Sequence, residues 1–211
     1  MHVRDAATAL GLLCVSGQAA AQEVEVRLMV GRYEPQAAIV EDAVSPSGLI
    51  GSAEHTSSMV AVAAVDLWWT AWFGTAVTAS LAHPQYHSWS AEQIVYPREP
   101  FPPYTEPARD FSAGLTLTQL SAKALVRVLR KQGLSVNASA GVAYLHWGGW
   151  YDFLNDRSTW APTAGMDVAQ QITQGIGVVL SATYLTYEFL EAPLRQHDVA
   201  LAAGLKFKVA Q

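Results

Sequence analysis

Six histidines and eighteen carboxylates are the side chains of this 211-residue sequence with which chemistry could begin. The stretch HPQYH sets His83 and His87 near Glu92, ligand types that a divalent metal takes, but Pro84 puts them in a loop that fixes no coordination geometry. His146 and Glu188 offer an imidazole base and a carboxylate, the start of a nucleophilic site. Both lie on the apolar parity of their segments, where an interfacial histidine accounts for them without catalysis. Asn137-Ala-Ser139 matches a glycosylation sequon but sits inside a periodic segment. The sequence has no Gly-rich phosphate loop. It therefore predicts no catalytic residue, no metal and no cofactor. The remaining charges must be understood from the elements that carry them.

Those elements are strands. The chain closes on HDVALAAGLKFKVAQ, with Val199, Leu201, Ala203, Leu205, Phe207 and Val209 on one parity and Ala200, Ala202, Gly204, Lys206 and Lys208 on the other. Side chains alternate across a strand, so one face is wholly apolar and the other small or cationic. The same alternation recurs at about 23–33, 57–69, 72–81, 111–130, 134–147, 160–172 and 175–189, which makes eight strands. In 111–130 the apolar parity is odd up to Leu117 and even from Leu120, which predicts a bulge near Thr118–Gln119. Leu117, Leu120, Ala124, Leu125 and Val128 also fit a helical face over 116–130. The hairpin pattern RVLRKQGLSVNA, with Gly133 at its turn, favours the strand.

The links between strands alternate short and long. Those after the second, fourth and sixth are a few residues; those after the first and third run to roughly twenty or more. An up-and-down barrel puts alternate links at the same end, and transmembrane barrels have short turns inside and long loops outside. The expected fold class is therefore all-β, an eight-stranded antiparallel up-and-down transmembrane β-barrel.

Composition agrees. Charged residues are 15% of the chain against roughly 25% in soluble proteins, yet there are seven Trp and eight Tyr. A net charge of −5 gives no reason to expect nucleic acid as a partner. The opening MHVRDAATALGLLCVSGQAAAQ has Arg4, an apolar stretch and an Ala19-Ala20-Ala21 end, which predicts a signal peptide over 1–21 and a barrel domain over 22–211. Cys14 falls within that leader, so no disulfide is expected in the exported chain.

The aromatic residues are expected to form two interfacial girdles, because an indole or phenol ring is apolar while its tip stays wet. Trp68, Trp69, Trp72, Phe73 and Phe207 fall at the short-turn end; Tyr33, Tyr144, Trp147, Trp150, Tyr151, Trp160, Tyr184, Tyr187 and Phe189 fall at the other. Trp69, Phe73, Tyr144, Trp160, Tyr184 and Phe207 are the principal girdle candidates. The interior parity carries Glu25, Arg27, Asp66, Lys123, Arg127, Asp167, Lys206 and Lys208, with Asn137 and Gln171. An eight-stranded barrel is only wide enough for its own side chains, so these charges are expected to pair and leave no diffusive pore. A soluble ligand barrel would reverse the faces. Against it, the non-apolar parity is mostly Gly, Ala, Ser and Thr, which solvate a surface poorly.

The leader, the eight alternating strands, the asymmetric links and the segment SAGVAYLHW, with Gly141 and Tyr144, resemble the small eight-stranded outer-membrane β-barrel proteins of the OmpA-barrel, OmpX and OmpW type. The likeness covers 23–211. It departs at the C-terminus, where such barrels end in an aromatic residue; here Phe207 is followed by Lys-Val-Ala-Gln211. The resemblance implies an outer-membrane location, export through a cleaved signal, and lipid, lipopolysaccharide and the barrel-assembly machinery as partners of a monomer. It implies a structural or surface-interaction role, with a narrow conduit for small hydrophobic molecules as the alternative. A lipid A-modifying enzyme is the third reading. Lipid A deacylases of this architecture carry a serine two residues from the histidine, where this chain has Gly148.

Overall fold

Val26, Leu28 and Val30 alternate with Glu25, Arg27 and Met29, and the structure resolves that alternation into outside and inside. Arg27 is 5% exposed and its neighbour Leu28 is 54% exposed. The computed structural model describes residues 23–36, 51–90, 93–95, 104–149, 157–188 and 195–210. The expected leader over 1–21, with Cys14, lies outside them, as do Glu92, Trp150, Tyr151 and Phe189.

Twelve strands follow in chain order: β1 (Glu23–Pro35), β2 (Gly51–His55), β3 (Ser58–Trp68), β4 (Phe73–Ala82), β5 (Gln85–Ser90), β6 (Gln93–Val95), β7 (Tyr104–Glu106), β8 (Arg109–Lys131), β9 (Leu134–Gly149), β10 (Arg157–Gln171), β11 (Ile176–Glu188) and β12 (Arg195–Ala210). Eight of them close a ring of antiparallel pairs, β1-β3-β4-β8-β9-β10-β11-β12, and β12 returns to β1. Closure leaves the wall without a free edge, the condition for a β-structure in hydrocarbon.

The seam between β12 and β1 is tight. Arg27 pairs with Lys206 and Met29 with Gly204, and a Cβ at Gly204 would lie 2.0 Å from the Leu28 carbonyl oxygen. At the short-turn end, β8 and β9 meet in a two-residue hairpin turn with positive φ at both Gln132 (49°) and Gly133 (82°). Both angles match a type I′ turn, whose twist suits the flanking strands.

In this segment the strand expectation holds and the bulge is corrected. The segment 116–130 is continuous strand, and no helix interrupts it. Its bulge is not at Thr118–Gln119: the register runs unbroken from Leu115 to Arg127 and shifts between Arg127 and Leu129. The parity changed in the sequence because the barrel interior changes. Towards the long-link end it is apolar, so Leu115 and Leu117 point inward, while Leu120 further along points to the outer face.

The two longest links contain strands. β2 pairs with β5, and β5 pairs with Arg109–Gly114 of β8, so a three-stranded sheet continues past the ring. β6 and β7 make a separate pair. At 23 residues, β8 is about twice the length a barrel strand needs to cross a bilayer.

Candidate functional site in the barrel lumen

The interior is built in layers by the inward residues of successive strands. Nearest the short-turn end, Glu23 of β1 receives Lys208 of β12 at 3.5 Å and Arg127 of β8 at 3.8 Å. One step inward, the Glu25 carboxylate accepts from Lys206 Nζ at 2.8 Å and from the Trp68 indole N–H at 2.9 Å. The Arg127 guanidinium lies 3.9 Å above the centre of the Trp68 ring and 3.9 Å from the same carboxylate. A guanidinium is well suited to this, being planar and weakly hydrated.

The next layer is a cross-brace. Arg27 Nη2 donates to Asp66 Oδ1 at 2.8 Å and Nη1 reaches Asp167 Oδ2 at 2.7 Å. Asp66 belongs to the adjoining strand β3, whereas Asp167 belongs to β10, three strands away round the ring. Lys123 points into the same space, with Nζ 3.5 Å from Thr183 Oγ1. Among the described residues, Arg27, Lys123, Arg127, Lys206 and Lys208 thus face Glu23, Glu25, Asp66 and Asp167. Buried charge needs this pairing, because removing one partner strands the other away from water. A cavity of about 20 Å³ remains between Arg27, Lys123, Asp167 and Thr183, room for about one water-sized probe.

Towards the long-link end the filling turns apolar: Leu117, Leu145, Leu185 and Trp147 pack together with Tyr33 and Tyr187. Within it Asp198, 1% exposed, accepts hydrogen bonds from the Tyr33 hydroxyl and, at 2.7 Å, from the Tyr187 hydroxyl. His55, from β2 of the projecting sheet, stacks over Trp147 with ring centres 4.9 Å apart. Burial pushes its imidazole down to about 4, so it is neutral near pH 7.

All eight lumen candidates thus point inward, in two ion-paired groups, Glu25-Arg127-Lys206-Lys208 with Glu23 and Arg27-Asp66-Asp167, with Lys123 on Thr183. Asn137 is also interior, whereas Gln171 sits at a turn and donates to the Gln174 carbonyl at 2.9 Å. Of the girdle candidates, Phe73, Trp160 and Tyr184 are exposed on the outer wall, and Trp69, Tyr144 and Phe207 are half-buried there. Trp68, Tyr33, Trp147 and Tyr187, expected in the girdles, are instead buried in the lumen. Parity held the signal: Trp68 is two residues from Asp66, Tyr33 is six from Arg27, and Asp198 shares the parity of Lys206.

The histidines separate. His83 Nδ1 lies 3.3 Å from Thr116 Oγ1, and His87 sits between Asp110 (2.9 Å) and Glu54 (3.7 Å), so the two share no site. No cluster of metal-ligand side chains occurs among the described residues. His146 is on the outer wall, 3.1 Å from Ser158 of β10. Glu188 is exposed opposite Arg195.

No family model and no curated protein sequence matches the chain. Solved structures do. The outer membrane protein OprG from Pseudomonas aeruginosa superposes with a TM-score of 0.62 at 10% identity, over 91% of this chain and 98% of that one. Neisserial surface protein A gives 0.54 at 12% identity, over 88% and 97%. At such identities the likeness speaks to fold, and there it agrees with the closed ring, the apolar outer wall and the charged interior: the chain has the fold of the small eight-stranded outer-membrane β-barrels.

Proposed function

We propose that this protein is a plugged outer-membrane barrel with a structural or surface-interaction role, in which the ring anchors the β2-β5-β8 sheet on the outer side of the membrane. The observation that carries this reading is the Arg27 cross-brace, which spans the lumen between Asp66 and Asp167 and has a cavity of only about 20 Å³ beside it. A second stopper, Tyr33-Asp198-Tyr187, lies above it. The apolar wall fits lipid and lipopolysaccharide as the surrounding partners. Insertion by the barrel-assembly machinery and a monomeric state complete the proposal.

Planar-bilayer conductance is the test. The folded wild type should give no sustained ionic steps. Steady conductance of the wild type would overturn the plugged reading. Wild-type uptake of small hydrophobic molecules into proteoliposomes would favour the conduit alternative, which requires the upper stopper to move.

A further inference from the structure

The outer wall carries a cluster that the lumen account leaves unused. Ser158 of β10 is exposed and lies directly opposite His146 of β9 in the register. Its Oγ is 3.1 Å from His146 Nδ1 and accepts a hydrogen bond from the Tyr144 hydroxyl at 2.7 Å. With the phenol donating, the serine's own proton is directed to the imidazole nitrogen. A nucleophile within hydrogen-bond reach of its base, beside a second donor, is the geometry of nucleophilic acyl transfer. Trp160 packs on Tyr144 with ring centres 5.3 Å apart and is itself 69% exposed, which fixes the phenol at the level of the girdle.

The depth of the cluster identifies a substrate. Ser158 is two residues beyond Trp160 towards the long-link end, about 7 Å along the strand and about 5 Å along the membrane normal after tilt. Each interfacial zone outside the hydrocarbon is roughly 5–8 Å thick. That zone is where acyl chains join their headgroups through ester carbonyls. The geometry points to Ser158 as an acylatable nucleophile, with His146 as its base and Tyr144 as a donor to the oxyanion, acting on ester-linked acyl chains of outer-leaflet lipid.

The step balances without a co-reactant other than water. Ser158 Oγ bonds to the ester carbonyl carbon as its proton passes to His146 Nδ1, and the carbonyl electron pair moves onto oxygen beside the Tyr144 hydroxyl. Collapse expels the headgroup alkoxide, which takes the proton from His146 and leaves acyl-Ser158. Water then adds to the acyl carbon, giving its proton to His146. The second collapse releases the fatty acid and returns that proton to Ser158. The orientation of the barrel comes from the proposed function, but reaction with Ser158 in detergent does not depend on it, so the two can fail separately.

The test uses the full folded chain in mixed micelles with phosphatidylethanolamine and, separately, with hexa-acylated lipid A, measuring released fatty acid. A fluorophosphonate probe reports on Ser158 by peptide mass. Wild type should release fatty acid from at least one of the two lipids, and which one identifies the source of the ester. Ser158→Ala and His146→Ala should each lower release by about 100-fold or more, and Tyr144→Phe by about tenfold. All three variants should keep the heat-dependent gel shift of a folded barrel. Release from neither lipid, release by Ser158→Ala at the wild-type rate, or probe attached to other residues only would overturn the proposal.

Discussion

Arg27 and Asp167 stand on strands three places apart in the ring and meet at 2.7 Å across the lumen. The contact ties opposite walls of the barrel, while Asp66 fastens the same guanidinium to the neighbouring strand. Arg27→Leu should therefore destabilise the folded barrel by about 3–5 kcal/mol, because it leaves two carboxylates uncompensated. Arg27→Leu combined with Asp66→Asn and Asp167→Asn should recover part of that loss. Urea titrations in detergent read both. A neutral Arg27→Leu would show the brace to be incidental.

Leu28, one residue away, tests the other face. Its side chain is 54% exposed on the outer wall, so Leu28→Arg should cost roughly 2–4 kcal/mol in a bilayer, the value for a cation facing lipid near mid-depth. The same titration in lipid vesicles checks it. An effect within about 0.5 kcal/mol, typical of a surface change, would contradict the assignment of that face.

At the seam, a Cβ on Gly204 would lie 2.0 Å from the Leu28 backbone oxygen, and a backbone atom cannot swing aside as a side-chain tip can. Gly204→Val should hold β12 away from β1 and block closure, so the variant should fail to give the unheated fast-migrating band on gels. Gly148→Ala, whose Cβ meets nothing within 4 Å, is the control and should fold normally.

His55 predicts a pH dependence. Its folded value is about 4, against about 6.5 for a free imidazole, so the unfolded segment binds a proton more readily over that interval. The stability of the β2-β5 sheet should be constant above about pH 6.5, fall as pH drops from there to about 4, and level off below. The full effect is of order 3 kcal/mol. Amide exchange of β2 should follow that profile, and His55→Phe should flatten it.

The turn offers a gain. Gln132 holds a left-handed conformation that a non-glycine residue adopts at a cost, and Asn suits the first position of such a hairpin better. Gln132→Asn should stabilise the barrel by up to about 1 kcal/mol in thermal or urea unfolding.

The eight ring strands and their faces were legible because a two-residue period is written directly into the sequence: Arg27 in and Leu28 out needs only parity. What failed needed the third dimension. Leu115 and Leu117 look misplaced until the upper lumen proves to be apolar, and the inferred bulge disappears with that knowledge. Trp68 and Trp147 were read by residue type, as girdle rings, when their parity already placed them inside. Ser158 could not be linked to His146 without the β9-β10 register, since the residues are twelve apart in sequence and adjacent only across the pair. β2 and β5, at five and six residues, were too short to stand out from the links that contain them.

Single nitroxide labels placed one at a time at residues 27, 28, 29, 30, 180, 201 and 205, in a chain with Cys14 replaced, test the central claim most directly. Collision with oxygen and with a water-soluble nickel complex would be measured in lipid vesicles. Labels at 28, 30, 180, 201 and 205 should collide freely with oxygen and scarcely with nickel, while labels at 27 and 29 should be shielded from both. Strong nickel collisions at 28, 30 and 201 would put that face in water and contradict a transmembrane barrel.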